Sequence, residues 1–288
     1  MNPAAIALVI VPAHNEASVI ERCLGALADG TDIEVLVACN GCTDDTASRA
    51  RRFTGDLRIQ VIELAAPSKC AALNAADSAS TLFPRMYVDA DVVVSGRTVL
   101  KIAEILERGP ALAARPSIYY DTTNADPVVR AFYRARQRTP PLMYSLWGAG
   151  FYGLSRSGRS RWTEFPEGVA DDLFADSHFA DHETVILHSE TVVVRTPRTT
   201  RALLHTLQRV YAPHTSETGE SQRVRTSLPP VVNARRSRSS AIALVLANLG
   251  SPRNLVDVLV YLCLALLARV PLVIGSPRTS WLRDDSSR

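Results

Sequence analysis

The chain has 288 residues, of which 47% are hydrophobic and 21% are charged, which excludes an intrinsically disordered chain. A formal net charge of only +3 at pH 7 is too small to indicate a nucleic-acid-binding protein. We therefore expect a globular protein with a substantial core and no nucleic-acid partner, built as one large domain or one domain with an appendage.

The cysteines and the N-terminus indicate a cytoplasmic protein. Five cysteines, an odd number, do not resemble a disulfide framework, and the Cys-x-x-Cys at Cys39 and Cys42 has no second ligand pair at zinc spacing. The first apolar run, residues 4–11, lacks the basic flank and the cleavage site of a signal peptide. We interpret that run as a buried strand and the cysteines as reduced thiols.

Short apolar runs alternate with amphipathic stretches through the first half of the chain. The predicted strands are residues 6–11, 33–38, 58–64, 85–88 and 111–118, and the predicted helices are residues 17–28, a helix with Thr43 as N-cap, 69–78 and 99–107. This alternation predicts an α/β fold with a mainly parallel sheet and helices on both faces. Ligands of such sheets bind at the carboxyl ends of the strands.

The second half is less regular. It contains a glycine-rich aromatic segment at residues 147–153, an acidic helix start at Asp171 and Asp172, and a strand-like run at residues 191–195. The predicted domain boundaries are a catalytic domain at 1–212, with halves at 1–115 and 116–212, a linker at 213–240 and an apolar helical tail at 241–288.

Asp89 and Asp91 follow the fourth predicted strand with one residue between them. Alternate residues that leave a strand can point the same way, so the two carboxylates converge. Mg²⁺ or Mn²⁺ is commonly held by one or two carboxylates together with substrate phosphates. The pattern alone also fits a loop with two solvated acids, so its interpretation depends on the segments around it.

Four segments occur in an informative order, at residues 9–16, 40–46, 69–74 and 89–91. Together they resemble the nucleotide-binding half of the family 2 glycosyltransferases, and residues 171–174 resemble the ED motif of that family. The resemblance covers roughly residues 6–210. It implies a GT-A, Rossmann-like fold and an inverting, metal-dependent transfer from a UDP- or GDP-sugar.

The resemblance also implies roles for individual residues on the donor side. Pro12, His14 and Glu16 correspond to the loop that holds the nucleoside, and Asn40 stands where the family usually has an aspartate against the base. Lys69 corresponds to a position near the nucleotide.

Further roles concern the metal and the acceptor. Asp89 corresponds to a ribose or metal contact and Asp91 to a metal ligand. Asp172 corresponds to the general base that takes the proton of the acceptor hydroxyl, which is work that a positioned carboxylate can do. Asp171 stands where glutamate is usual, and two acids at a helix start are also explained by the helix dipole alone.

Two departures from the family pattern matter. Asn40 is neutral, so base recognition is expected to differ from the usual pattern. The Gln-x-x-Arg-Trp motif of processive synthases is missing from the sequence, which favours transfer of a single sugar. For Trp147 and Tyr152 two interpretations stay open: an acceptor pocket whose aromatic faces meet a sugar ring, or a strand that packs its aromatics into the core.

The C-terminal tail contains eleven uncharged, largely aliphatic residues at 258–268. This is shorter than the roughly 20 residues that span a bilayer. Together with the apolar residues 241–248 and the arginines at 235, 236 and 238, it predicts a helical hairpin at the inner face of the cell membrane. A buried helix pair or a dimer contact is the alternative.

The sequence thus predicts a hexosyl- or other glycosyltransferase, with an acceptor that is lipid-linked and belongs to an envelope polysaccharide or glycolipid. The alternative function is a non-catalytic nucleotide-sugar-binding scaffold, which the neutral Asn40 favours. A dinucleotide oxidoreductase would need Gly-x-Gly-x-x-Gly after the first strand, where residues 12–16 read Pro-Ala-His-Asn-Glu.

Overall fold

The computed structural model describes residues 5–54, 57–139, 144–211 and 251–269. The strands are β1 Ala7–Ala13, β2 Ile33–Asn40, β3 Arg58–Leu64, β4 Arg85–Val88, β5 Ala113–Asp121, β6 Phe151–Leu154 and β7 Thr184–Arg195. The helices are α1 Ile20–Leu27, α2 Thr46–Arg52, α3 Lys69–Ala79, α4 Gly96–Arg108, α5 Pro127–Gln137, α6 Arg156–Arg159, α7 Asp171–Asp176, α8 Thr200–Tyr211 and α9 Pro252–Leu267. A 3-10 turn, Asp181–Glu183, precedes β7.

The strands form one sheet in the order β3-β2-β1-β4-β6-β5-β7. The first four strands in this order are parallel neighbours, while β6 runs antiparallel to both β4 and β5. The predicted α/β class with a mainly parallel sheet is confirmed. The carboxyl ends of β1, β2 and β4 therefore meet at one edge of the sheet.

Strand β1 shows why helices cover both faces. All of its residues are buried, and successive side chains point to opposite faces. Val9 and Val11 enter a core formed with α1, α2 and α4, whereas Leu8 and Ile10 enter a second core formed with α3 and α7. Each such side chain stabilises the fold by roughly 1.5–3 kcal/mol when fully buried.

Thr43 is not the N-cap of α2, so that prediction is wrong. The helix begins at Thr46 with Asp45 in the N-cap position. The backbone N–H groups of Thr43 and Asp44 instead donate to Asn15 Oδ1, at 2.6 and 3.2 Å. These hydrogen bonds fasten the loop after β2 to the loop after β1.

The chain divides into two compact units. The described part of the first unit comprises residues 5–54, 57–119 and 144–194, and that of the second comprises residues 120–139, 195–211 and 251–269. The predicted domain boundaries stay a prediction. The predicted linker at 213–240 and the tail residues 241–250 and 270–288 lie outside the described residues.

In the second unit, α5 packs against α9. The Phe132 and Tyr261 rings stack with centroids 4.9 Å apart. The buried carboxylate of Asp257 accepts hydrogen bonds from Arg134, at 2.7 and 3.0 Å, and from Arg138, at 3.1 Å. Within the residues that the structure describes, no helix is both long enough and apolar enough to cross a membrane.

Candidate functional site

A pocket lies where β1 and β4 end. Its lining joins segments that are far apart in the sequence: Pro12, Lys69, Tyr87, Val88, Asp89, Gly150, Tyr152, Asp171 and Asp172. Six of these residues were predicted as site residues from the sequence, namely Pro12, Lys69, Asp89, Tyr152, Asp171 and Asp172. The motif segments therefore converge at the edge of the sheet where ligands of parallel α/β proteins bind.

Lys69 connects the two sides of the pocket. It is the first residue of α3, because Ser68 caps this helix by accepting a hydrogen bond from the Ala71 N–H at 3.0 Å. Its Nζ lies 2.7 Å from Asp89 Oδ1 and 2.7 Å from Asp171 Oδ1. Burial alone lowers the pKa of Lys69, but Asp171 and Asp89 outweigh it and raise the pKa well above its usual range.

Asp89 follows β4, and its side chain is 40% exposed. Its N–H donates to the Gly150 carbonyl at 2.8 Å. Gly150 has φ +61°, and a Cβ there would lie 2.5 Å from Val92 Cγ2 and 3.1 Å from Asp89 Oδ2, so only glycine fits. Partial desolvation by the surrounding protein raises the pKa of Asp89 to about 6, with Lys69 opposing and Asp171 and Asp91 adding to the shift.

Tyr152 packs into the core and touches the pocket through its hydroxyl. Its ring is 2% exposed and stacks on the cross-strand neighbour Tyr87, with centroids 4.8 Å apart. The hydroxyl donates to Asp171 Oδ2 at 3.0 Å. Burial and Asp171 raise the pKa of Tyr152 well above its usual range, so it stays a donor. The ring leaves no free face for a sugar, and an acceptor contact stays a prediction.

Asp172 lies at the start of α7, beside the glycine-rich segment. Its Oδ2 accepts the Gly148 N–H at 2.8 Å, while Leu146 N–H donates to Asp176 Oδ1 at 2.7 Å. These two hydrogen bonds hold residues 146–148 along α7, with the half-buried Trp147 between them. Burial and the neighbouring Asp171 raise the pKa of Asp172, which makes its carboxylate a better proton acceptor.

His14, Glu16 and Asn40 do not line the pocket. Asn40 is 2% exposed and its side-chain amide donates to the Ala13 carbonyl at 3.0 Å. The His14 Nδ1 lies 2.6 Å from the Asn40 carbonyl oxygen, and the Glu16 N–H donates to Thr46 Oγ1 at 2.7 Å. The Asn40 amide therefore faces backbone, and its role against a nucleotide base stays a prediction.

Asp91 is exposed, two residues after Asp89. In residues 5–54, 57–139, 144–211 and 251–269, no side chain pairs with its carboxylate and no cluster of three metal-ligating side chains occurs. The Arg22 guanidinium donates to the Asp91 carbonyl oxygen at 3.3 Å. Two exposed or half-exposed carboxylates fit Mg²⁺ or Mn²⁺, because these ions take their other ligands from water and substrate phosphates.

Sequence reasoning missed the contributions of Tyr87 and Gly148. Gly148 has φ +80°, which directs its N–H at Asp172, and the Gly-x-Gly spacing with Gly150 was the available signal. Tyr87 lies in an apolar strand and had no signal of its own.

The chain resembles known proteins in its sequence profile and in its fold. The sequence profile of glycosyl transferase family 2 matches residues 8–157. A search of curated proteins finds no significant match.

Several solved structures resemble the chain. The mannosyltransferase PcManGT from Pyrobaculum calidifontis, in complex with GDP-Man and Mn²⁺, is 21% identical with a TM-score of 0.59, over 95% of this chain and 77% of that chain. Glucosyl-3-phosphoglycerate synthase from Mycobacterium tuberculosis, with Mn²⁺, UDP and phosphoglyceric acid, is 18% identical with a TM-score of 0.53. The match covers 79% of this chain and 80% of that chain. S. aureus TarS 1-349 with UDP-GlcNAc is 17% identical with a TM-score of 0.51. The match covers 66% of this chain and 58% of that chain.

At these identities the solved structures support the fold, and they confirm the GT-A type of fold that the motif order implied. The profile match carries the family assignment, because it covers more than half of the chain. The protein belongs to glycosyl transferase family 2.

Proposed function

We propose that the protein transfers one sugar from a nucleotide-sugar donor to an acceptor hydroxyl, with inversion and without processive elongation, as an enzyme of class EC 2.4. The observation that carries this proposal is the convergence of Lys69, Asp89, Asp171 and Asp172 in one pocket at the carboxyl ends of the strands. Asp171 anchors Lys69, and Asp172 stands free of that ion pair.

Asp172 acts as the general base. Its carboxylate takes the proton of the acceptor hydroxyl while the acceptor oxygen forms a bond to the anomeric carbon from the face opposite the leaving group. The bond from that carbon to the diphosphate breaks, and the nucleoside diphosphate departs. The raised pKa of Asp172 suits this role, because a stronger base accepts the proton more readily.

Asp91 and Asp89 would hold Mg²⁺ or Mn²⁺, which neutralises charge on the departing diphosphate when it is bound. The Mn²⁺ and nucleotide complexes of the mannosyltransferase and the phosphoglycerate synthase support this assignment. They also support UDP or GDP as the donor nucleotide, since both occur among the similar structures.

The membrane proposal is supported by α9. Its outer face is apolar, with five large side chains between 37% and 64% exposed: Leu255, Val256, Leu259, Leu266 and Leu267. Exposed arginines stand near both ends, at Arg253 and Arg269. An apolar face with flanking positive charge fits the interface of an anionic bilayer, which supports a location at the inner face of the cell membrane and a lipid-linked acceptor.

Vesicle flotation tests the membrane proposal. The protein should float with vesicles that contain phosphatidylglycerol, and Leu259→Glu should prevent flotation without changing the fold. Concentration-dependent dimerisation without flotation would favour the dimer contact instead.

A donor screen tests the proposed reaction. The protein is incubated with a panel of UDP- and GDP-sugars and Mn²⁺, and donor hydrolysis and thermal stabilisation are measured with and without EDTA. Stabilisation with metal-dependent hydrolysis by one donor is expected. Stabilisation without turnover, even with acceptor extracts, would favour the non-catalytic scaffold that the neutral Asn40 suggests.

A further inference from the structure

Lys69 joins two carboxylates that have different surroundings. Asp171 has a side chain that is only 7% exposed, and its second oxygen accepts the Tyr152 hydroxyl at 3.0 Å. Asp89 has a side chain that is 40% exposed. Each carboxylate lies 2.7 Å from the same ammonium group.

This difference makes one of the two ion pairs easier to break. Moving Lys69 away from Asp171 would leave a buried carboxylate without its cation, which is costly. Moving it away from Asp89 exposes a carboxylate that water or a cation can reach. Lys69 therefore stays with Asp171 when a competing ligand arrives, and Asp89 is the partner that it releases.

We propose that Lys69 is an internal counter-ion that occupies Asp89 until the donor binds, so that nucleotide and divalent cation bind cooperatively. This rests on the proposed function. The anionic diphosphate draws the Lys69 ammonium away from Asp89, and Asp89 is then open to Mg²⁺ or Mn²⁺. Asp171 and Tyr152 are positioning residues, because they keep Lys69 within reach of both partners.

Manganese binding tests this coupling without any turnover. Free Mn²⁺ is followed by electron paramagnetic resonance while MnCl₂ is added to the protein alone, with GDP, and with UDP. In the wild type, the nucleotide that stabilises the protein should tighten Mn²⁺ binding by about fivefold or more, which is the usual range of coupling between two sites.

Two variants should shift Mn²⁺ binding in opposite directions. Lys69→Met removes the competing cation, so Mn²⁺ alone should bind more tightly than in the wild type, while the gain from nucleotide should shrink. Asp171→Asn leaves Asp89 as the only carboxylate on Lys69, so Mn²⁺ alone should bind more weakly. Lys69→Gln repeats the first measurement if Lys69→Met does not fold.

Lys101→Met is the matched control, because Lys101 is the only other lysine and pairs with Glu190 outside the pocket. Lys101→Met loses one positive charge, as Lys69→Met does, and should bind Mn²⁺ like the wild type. Unchanged or weaker Mn²⁺ binding in Lys69→Met, or undiminished coupling, would overturn the counter-ion proposal while the transferase proposal stands. A wild type that binds no Mn²⁺ with either nucleotide would overturn the metal-dependent reaction itself.

Discussion

Two ionic clusters in the first unit contact the stacked Tyr87 and Tyr152 rings, one through the Tyr87 hydroxyl and the other through the Tyr152 hydroxyl. They differ in charge balance and exposure. In the first cluster, Asp77 accepts hydrogen bonds from Arg85 at 2.6 Å, from Arg159 at 2.7 Å and from the Tyr87 hydroxyl at 2.8 Å. The side chains of its three ions are only 6–8% exposed.

The second cluster is the pocket. There Lys69 faces three carboxylates, and the Asp89 side chain is 40% exposed. The three acids are Asp89, Asp171 and Asp172, and the exposed Asp91 follows Asp89 by two residues.

The difference indicates what each cluster does. Buried ions are tolerated only when they are paired and hydrogen-bonded, and the Asp77 cluster meets that condition within the chain. The pocket has an excess of negative charge beside solvent, which a cation from outside the chain can neutralise. We therefore expect changes in the Asp77 cluster to lower stability and changes in the pocket to lower activity.

The largest effect on activity is expected for Asp172→Asn. Asparagine keeps the size of the side chain but cannot accept the proton, so transfer should fall by on the order of 10²–10⁴-fold. Donor affinity, measured by calorimetry, should barely change because Lys69, Asp89 and Asp91 are intact.

Asp29→Asn serves as the control, since Asp29 forms a surface pair with Arg97 outside the pocket. Near-wild-type transfer in Asp172→Asn would exclude it as the base and make Asp171 the next candidate. A parallel loss of donor affinity would assign Asp172 to the nucleotide side.

A smaller loss of activity is expected for Asp91→Ala. Removal of one charge-stabilising group typically costs about 10²-fold or more, and this variant should behave like the wild type in EDTA. The thermal midpoint should stay near that of the wild type, because Asp91 is exposed. Full transfer in this variant, or in wild type with excess chelator, would contradict the metal role.

The opposite pattern is expected for Asp77→Ala. It leaves two buried arginines without their carboxylate, which should lower the free energy of unfolding by about 3–5 kcal/mol. Transfer per folded molecule should be retained. The surface variant Glu104→Gln, which breaks the exposed pair with Arg108, should cost at most about 1 kcal/mol in denaturant titrations.

If Asp77→Ala instead abolished transfer at full stability, the separation of the two clusters would be wrong. Asp77 would then act on the pocket through the stacked Tyr87 and Tyr152, whose hydroxyls donate to Asp77 and Asp171.

The sequence was sufficient for elements whose signal is local. Strands β3 and β4 begin and end at the predicted residues, because each is a short apolar run bounded by polar or turn residues. Helix α5 was not predicted. Its apolar face packs on α9, more than 100 residues later, and nothing near it in the sequence indicates that partner.

In the site, too, contacts between residues that are distant in the sequence could not be predicted. Lys69, Asp89 and Asp172, which line the pocket, could be found from the sequence because they belong to motifs, whereas their roles and the metal contact of Asp91 stay predictions. The stacking of Tyr152 on Tyr87 depends on the antiparallel register of β4 and β6, which no local pattern determines. The stacked ring agrees with the interpretation that the strand packs its aromatics into the core, while an acceptor contact stays a prediction.

The smallest expected effect is a shift in the pH dependence of turnover. Asp172 acts as a carboxylate, and burial together with Asp171 raises its pKa. The catalytic rate at saturating donor and acceptor should therefore fall, as the pH is lowered, through a value above the ordinary aspartate pKa of about 3.9. Asp171→Asn removes one of the two causes, so the acidic limb of its residual activity should move to lower pH.

The raised pKa of Asp172 also affects the stability of the fold. Because the pKa of Asp172 is raised on folding, the folded protein binds more protons than the unfolded chain between the two pKa values, and the ionised carboxylate costs stability above that window. Asp172→Asn should thus be at least as stable as wild type at neutral pH, with the difference vanishing in acid. An acidic limb at the ordinary aspartate value, or an upward move in Asp171→Asn, would show that Asp172 is not the group whose ionisation controls turnover.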